Sequence, residues 1–202
     1  MAGINLLINP DRKILLSNSG VFWKYGKKKI IFKGTGITYR IRKKIIGGIT
    51  MCLICDRIDM IKNNENPHYV KELETGYVVM GDHQLFKGYT LFLCKVHETE
   101  LFNLNDDFKN KYLQEMSMVA EAVSKAFHAE KINYELLGNG DTHLHWHLFP
   151  RIKGDMGEYG MNGKGPVWWV PAEIMYDDKN RPSTKELKEL KKKLIEQLEN
   201  QL

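Results

Sequence analysis

Between residues 143 and 149 the chain reads His143-Leu144-His145-Trp146-His147-Leu148-Phe149, three imidazoles separated by single apolar residues. In an extended strand successive side chains point to opposite faces. This spacing therefore sets the three rings on one face and Leu144, Trp146 and Leu148 on the other, toward a core. A helix would scatter residues two apart, so chemistry by the three together needs the strand. With seven histidines in the chain, chance gives this alternation in about one chain in a hundred. Three readings stay open from the residues alone: a strand whose histidines are merely satisfied by hydrogen bonds, a metal cage, or a nucleophilic centre. A cage made from all three is awkward, because same-face neighbours on a strand lie ~6–7 Å apart. The second group is Cys52-Leu53-Ile54-Cys55, a C-x-x-C. The chain has only three cysteines, too few for a disulfide-stapled secreted framework, which leaves metal binding, redox chemistry or incidental buried thiols. Two thiolates cannot close a tetrahedral site, so metal binding requires two further ligands; the redox reading lacks a βαβ context.

These groups must be positioned by the rest of the sequence. Runs 76–80 and 89–94 are β-rich and separated by a segment with turn residues at both ends, as in a hairpin; Cys94 reads there as a small core residue. From Asp106 or Asp107, the positions Phe108, Tyr112, Met116, Val119, Val123 and Phe127 recur at helical spacing after an acidic start. Runs 134–137 and 144–149 read as strands around Gly138-Asn139-Gly140-Asp141, with Pro150 ending the second. The apolar island Pro166-Val167-Trp168-Trp169-Val170-Pro171 reads as core or interface packing. Ser183-Thr184-Lys185-Glu186 is a capping box, followed by Leu187, Leu190, Leu194, Leu198 and Leu202 at helical spacing, which predicts a C-terminal helix over 183–202. His68, His83 and His128 have no evident partners and default to the surface. The order of elements allows an α+β fold: an antiparallel sheet of about five strands with the 108–127 helix packed on it.

Over about residues 51–176 the chain resembles the histidine triad (HIT) superfamily of nucleotide hydrolases and transferases. Its signature is His-φ-His-φ-His-φ-φ with φ apolar, matched by residues 143–149 at every position. The likeness extends to Cys52-Leu53-Ile54-Cys55, Phe86-Lys87-Gly88-Tyr89-Thr90, Val96-His97, the long helix, Asn133 to Asn139, and Pro150-Arg151. It looks closest to the bacterial diadenosine-polyphosphate-hydrolase-like branch, with the zinc-type C-x-x-C seen also in galactose-1-phosphate uridylyltransferase. The resemblance implies a HIT-like α+β domain that hydrolyses dinucleoside polyphosphates or nucleoside phosphoramidates at the α-phosphate. Its rivals are a nucleotidyltransferase or phosphorylase of the same superfamily and a non-catalytic nucleotide-binding module. His145 would attack phosphorus and form a nucleotidyl-histidine. That requires a free attacking nitrogen, with the other ring nitrogen donating to a backbone carbonyl. His147 would contact phosphate oxygens or the leaving group. Asn139 and Thr142 are expected to donate to the same phosphate. The family's Asn in the preceding hairpin falls near Gly81, so that contact passes to Asp82 or Gln84, with His83 facing the nucleotide loop. His97 and His143 stand at the family's zinc positions and, with Cys52 and Cys55, imply a closed Cys2His2 structural zinc site. Family members commonly pair, so a homodimer is expected.

At 202 residues, 43% apolar and 27% charged, the chain can bury the core of an ordinary domain. No run approaches ~18 apolar residues and no positive n-region precedes a signal-like stretch, so the expectation is a cytoplasmic protein without a membrane span. The net charge of +5 is unevenly spread: residues 1–50 hold 11 of the 30 basic residues and one of the 25 acidic ones. One reading is a basic arm that steers anionic substrate. Nucleic-acid binding by that arm is the weaker reading, because Lys29-Ile30-Ile31-Phe32-Lys33 and Ile37-Thr38-Tyr39-Arg40-Ile41-Arg42 alternate as a solvated hairpin does. The favoured reading is that Met51 is the native start: the resemblance begins there, and the codons of Gly47-Gly48 can hold a purine-rich ribosome-binding sequence at suitable spacing. The expected division is a basic extension over 1–50 and a catalytic domain over 51–202.

Overall fold

The computed structural model describes residues 52–159 and 165–201 and, ahead of them, the backbone of five short strands. The chain divides into two compact units, Met1–Thr50 and Met51–Leu202. In the first, β1 (Leu7–Asn9) pairs with β2 (Arg12–Lys13), while β3 (Leu15–Ser17), β4 (Gly20–Tyr25) and β5 (Lys28–Ile31) form a three-stranded antiparallel sheet. The 29–33 run is thus extended in part, paired with the strand before it; run 37–42 lies outside the described residues.

The second unit opens with α1 (Leu53–Lys62), which the sequence reading did not foresee. Its N-cap is Cys52, whose sulfur accepts the N–H of Cys55, and Ile54, Ile58 and Ile61 form its one buried stripe. There follow β6 (Tyr69–Glu72), β7 (Gly76–Met80), β8 (Thr90–Cys94), α2 (Asp106–Phe127), β9 (Lys131–Leu136), β10 (His145–Arg151), the short α3 (Ala172–Met175) and α4 (Thr184–Glu199). The five strands from β6 onward make one antiparallel sheet ordered β6-β7-β8-β10-β9, the α+β architecture expected.

Alternation divides the sheet into two faces. Val78, Met80, Phe92, Cys94, Leu144 and Leu148 are buried beneath α2 and α4, and Trp146 packs there too; Tyr77, Val79, Leu91 and Leu93 lie under α1. Helix α2 begins at the Asn105 cap, with Asp106 and Asp107 in its first turn, and ends at His128 in the left-handed region (φ 55°). Buried Glu115 on α2 accepts the N–H groups of Glu74 and Thr75 and the Thr75 hydroxyl, tying down the β6–β7 turn. Helix α4 carries the predicted capping box and buries Leu187, Leu190, Leu194 and Leu198, each worth about 1.5–3 kcal/mol against exposure. Leu202 lies outside the described residues.

Two boundaries differ from the sequence reading. Strand β9 begins at Lys131, not Tyr134, because Ile132 continues the buried alternation between polar neighbours. Strand β10 runs through Pro150 to Arg151. The Cys94 N–H donates to the Leu144 carbonyl, so even-numbered residues of this strand turn their backbone groups toward β8. Pairing with β8 ends at Leu148, and the donor Pro150 lacks would face a side with no ladder left.

Candidate active site and metal centre

Four ligand-bearing side chains converge where α1 begins, just past the end of β8, and where the chain enters β10. The ligand atoms of Cys52, Cys55, His97 and His143 all lie within 4.8 Å of one another. Cys55 Sγ is 3.1 Å from His97 Nδ1 and 3.4 Å from His143 Nδ1; Cys52 Sγ is 3.5 Å from His143 Nδ1. A tetrahedral ion ~2.3 Å from sulfur and ~2.0–2.1 Å from nitrogen sets S···N edges of about 3.6 Å, so the donor set fits zinc in type and spacing. His143 is turned for the role: its Nε2–H donates to the Cys94 carbonyl at 2.9 Å, which leaves the Nδ1 lone pair facing the sulfurs. Burial, then the Cys52 thiol beside it, push the Cys55 thiol up to about 11; a divalent cation between the sulfurs reverses that, because the ligand is held as thiolate.

On β10 the next imidazole is 5% exposed. His145 Nδ1 lies 2.6 Å from the His143 carbonyl oxygen. A carbonyl only accepts, so Nδ1 carries a proton, and in the neutral form of the ring the lone pair is on Nε2. Among the described residues the buried polar side-chain atoms without a partner are His68 Nδ1, His83 Nε2 and Trp146 Nε1. Among the described residues His145 Nε2 has no hydrogen-bond partner and is not fully covered, so that nitrogen keeps an opening to solvent.

The ring of His147 lies 4.7 Å from that of His145 in aromatic surroundings. Tyr89 stacks on Phe149 at 4.1 Å, Trp168 presents its edge to both His147 and Phe149, and Tyr89 Oη is 2.5 Å from His147 Nδ1. Gly81 makes room for this: a Cβ there would collide with the Tyr89 ring. Burial, then the neighbouring His145, push His147 down to about 3, and burial raises the Tyr89 phenol far above its ordinary value. Trp168 Nε1 donates to the Glu135 carboxylate, itself raised by burial.

Residues 63–154 match the sequence model of the HIT domain family. The chain carries a HIT domain. The "Protein hit" of Bacillus subtilis is 29% identical over 96 residues, 45% of this chain and 61% of that protein, so the match spans less than two thirds of that relative. The HIT domain resembles in fold a hypothetical histidine triad nucleotide-binding protein from Sulfolobus tokodaii (TM-score 0.53, 18% identity, 72% of this chain and 93% of that one). It likewise resembles a zinc-bound histidine triad family protein from Mycobacterium smegmatis (TM-score 0.50, 18% identity, 74% and 94%).

Within the HIT domain the remaining expected residues fall unevenly. Asn139 and Thr142 are exposed in the β9–β10 connection leading to the histidines. Gln84 is turned to its own loop: its amide donates to the Gly81 and Tyr89 carbonyls and accepts from Gly88 N–H. Asp82 receives a bidentate pair from Arg57 of α1 at 2.9 and 2.5 Å; burial opposes it, but this pairing holds the carboxyl below its ordinary range. His68 and His83 are half-buried, where the surface was expected, because the Asp82 region and Tyr176 cover them; His128 is exposed. In the 166–171 island it is Val167 and Val170 that pack, whereas Trp168 and Trp169 are 38% and 59% exposed. Sequence reasoning did not assign roles to Tyr89, Arg57 or Glu135. The Tyr89 signal was present in its parity with Leu91 and Leu93, which face the histidine side.

No helix among the described residues is long and apolar enough to cross a membrane.

Proposed function

We propose that the HIT domain cleaves nucleotide conjugates at the α-phosphate through a nucleotidyl-His145 intermediate, by hydrolysis or by transfer to another acceptor. The observation that carries this is the Nδ1–H bond of His145 to the His143 carbonyl, which fixes the ring so that Nε2 is the nitrogen left to attack. His147 stands beside it to hydrogen-bond the leaving group, and Asn139 and Thr142 stand on the adjoining loop to contact phosphate. A bound metal supplies a structural clamp: Cys52, Cys55, His97 and His143 hold zinc and tie α1 to the catalytic strand, a reading supported by the donor set and by the zinc-bound relative from Mycobacterium smegmatis.

A panel of adenylated and guanylated substrates, with trapping of radiolabelled nucleotide on the protein, tests the reading. Label on wild type and none on His145→Ala is the expected result. Turnover that survives in His145→Ala would refute the nucleophile. Nucleotide affinity without turnover of any substrate would favour a binding module, a reading to which the 5% exposure of His145 lends weight.

A further inference from the structure

We infer that Tyr89 is a positioning residue that holds His147 uncharged with its proton on Nε2, so that the site cleaves nucleotide phosphoanhydrides in preference to nucleoside phosphoramidates. The second half rests on the proposed role of His145. Among the described residues the contact to His147 Nδ1 is the one hydrogen bond of the Tyr89 hydroxyl. In this aromatic enclosure a phenol proton left without an acceptor is costly, so it is donated to Nδ1, and the neutral ring must carry its own proton on Nε2. Charging His147 would put a second proton at Nδ1. The phenol would then either oppose that donor or turn to accept from it and strand its own proton. Among the described residues no carboxylate forms an ion pair with the ring: His145 lies on one side, Phe149 and Trp168 on others, the Glu135 carboxylate, opposite on β9, accepts from Trp168, and Asp82 on the β7–β8 loop is paired with Arg57 of α1. Burial and His145 act in the same direction on its proton affinity.

The two neighbouring imidazoles are thereby fixed as opposite tautomers. His145 gives its Nδ1 proton to a carbonyl and keeps a lone pair on Nε2; His147 takes a proton bond at Nδ1 and keeps an N–H at Nε2. With a phosphoanhydride, the His145 lone pair forms an N–P bond while the P–O bond to the leaving phosphate breaks, its electron pair staying on oxygen. The His147 N–H steadies that oxygen by a hydrogen bond and transfers no proton. Water then forms a new P–O bond, the N–P pair returns to His145 Nε2, and the surplus water proton passes to solvent. An amine cannot leave phosphorus as its anion and needs a proton. Neutral His147 could release one only by drawing the phenol proton of Tyr89, and burial disfavours the phenolate.

The test has two arms on the full-length, zinc-loaded protein. In the first, 15N-labelled imidazole signals, assigned by their loss in His147→Gln, should report an uncharged Nε2–H tautomer for His147 from pH 8 to pH 5, with Tyr89→Phe giving mixed tautomers and a ring that charges in this range. An Nδ1–H tautomer, or a charged ring at pH 6 in the wild type, would overturn the role of Tyr89. In the second, substrates sharing an adenosine 5′-phosphoryl group but leaving as polyphosphate or as amine should differ in kcat/KM on the order of 10²-fold, the usual value of a general acid. Tyr89→Phe should narrow that gap. Equal rates on the two substrates would overturn the preference. If neither is cleaved and no nucleotide is trapped, the preference falls with the proposed function, while the imidazole signals still decide the tautomer.

Discussion

His143 and His147 close the two ends of one alternating run, yet their surroundings share almost nothing. At the first end an imidazole turns a lone pair toward two sulfurs because its other nitrogen is held by the Cys94 carbonyl. At the other an imidazole lies among Tyr89, Phe149 and Trp168, with a phenol at Nδ1. Between them, among the described residues, the hydrogen bond of His145 is to a backbone carbonyl. A histidine's chemistry is set by what its second nitrogen meets. In the proposed reading the sulfur end is gripped by a metal, the aromatic end stays uncharged, and the middle reacts.

The sharpest way to separate these roles is to remove the middle ring. His145→Ala should lower turnover on the order of 10³-fold or more and abolish nucleotide trapping. At the sulfur end the loss should be of stability. Chelation, or Cys55→Ser, should cost several kcal/mol, with the ~10 kcal/mol of small zinc modules as an upper guide, read by chemical denaturation. An unchanged denaturation curve with chelator present would remove the metal centre from the comparison.

The aromatic end should show itself in acid. His147 is held from its ordinary 6.5 down to about 3, so across that window the unfolded chain binds the proton the folded one refuses. Stability must then fall as pH drops from about 6.5 toward 3. His68 and His83, also lowered by burial, act in the same direction. Denaturant unfolding at a series of pH values should show the decline, and His147→Gln should make it shallower; an identical slope in the variant would mean that His147 does not carry it. The smallest effect belongs to Trp168→Phe, which keeps the ring edge and loses the bond to Glu135; about 1 kcal/mol or less is expected, visible as a slight shift of the thermal midpoint.

Periodic features were legible in the sequence. The spacing of Phe108 to Phe127 and the capping box at Ser183 foretold α2 and α4 because each long helix buries a repeating stripe. The strand at the histidines was legible for the same reason, with Leu144, Trp146 and Leu148 on the core side. Helix α1 was not, since its stripe is only Ile54, Ile58 and Ile61 and its cap is an atypical one, a cysteine sulfur. The proline in β10 misled because a missing donor matters only on a side that has a partner strand. The gathering of Cys52, Cys55, His97 and His143 was named through family resemblance; spacing alone offered only the cysteine pair. Tyr89, Arg57 and Glu135 matter through contacts distant in sequence, with His147, Asp82 and Trp168, and no local pattern announces such pairs.

The histidine strand has neighbours on both sides, β8 as far as Leu148 and β9 as far as Arg151. Amide protons from His145 to Phe149 should therefore be among the slowest in the domain to exchange with heavy water. The segment that packs against Phe149 from outside, through Val167, Val170 and Met175, has no such ladder. Local opening should therefore begin in that outer cover and reach the histidine strand last.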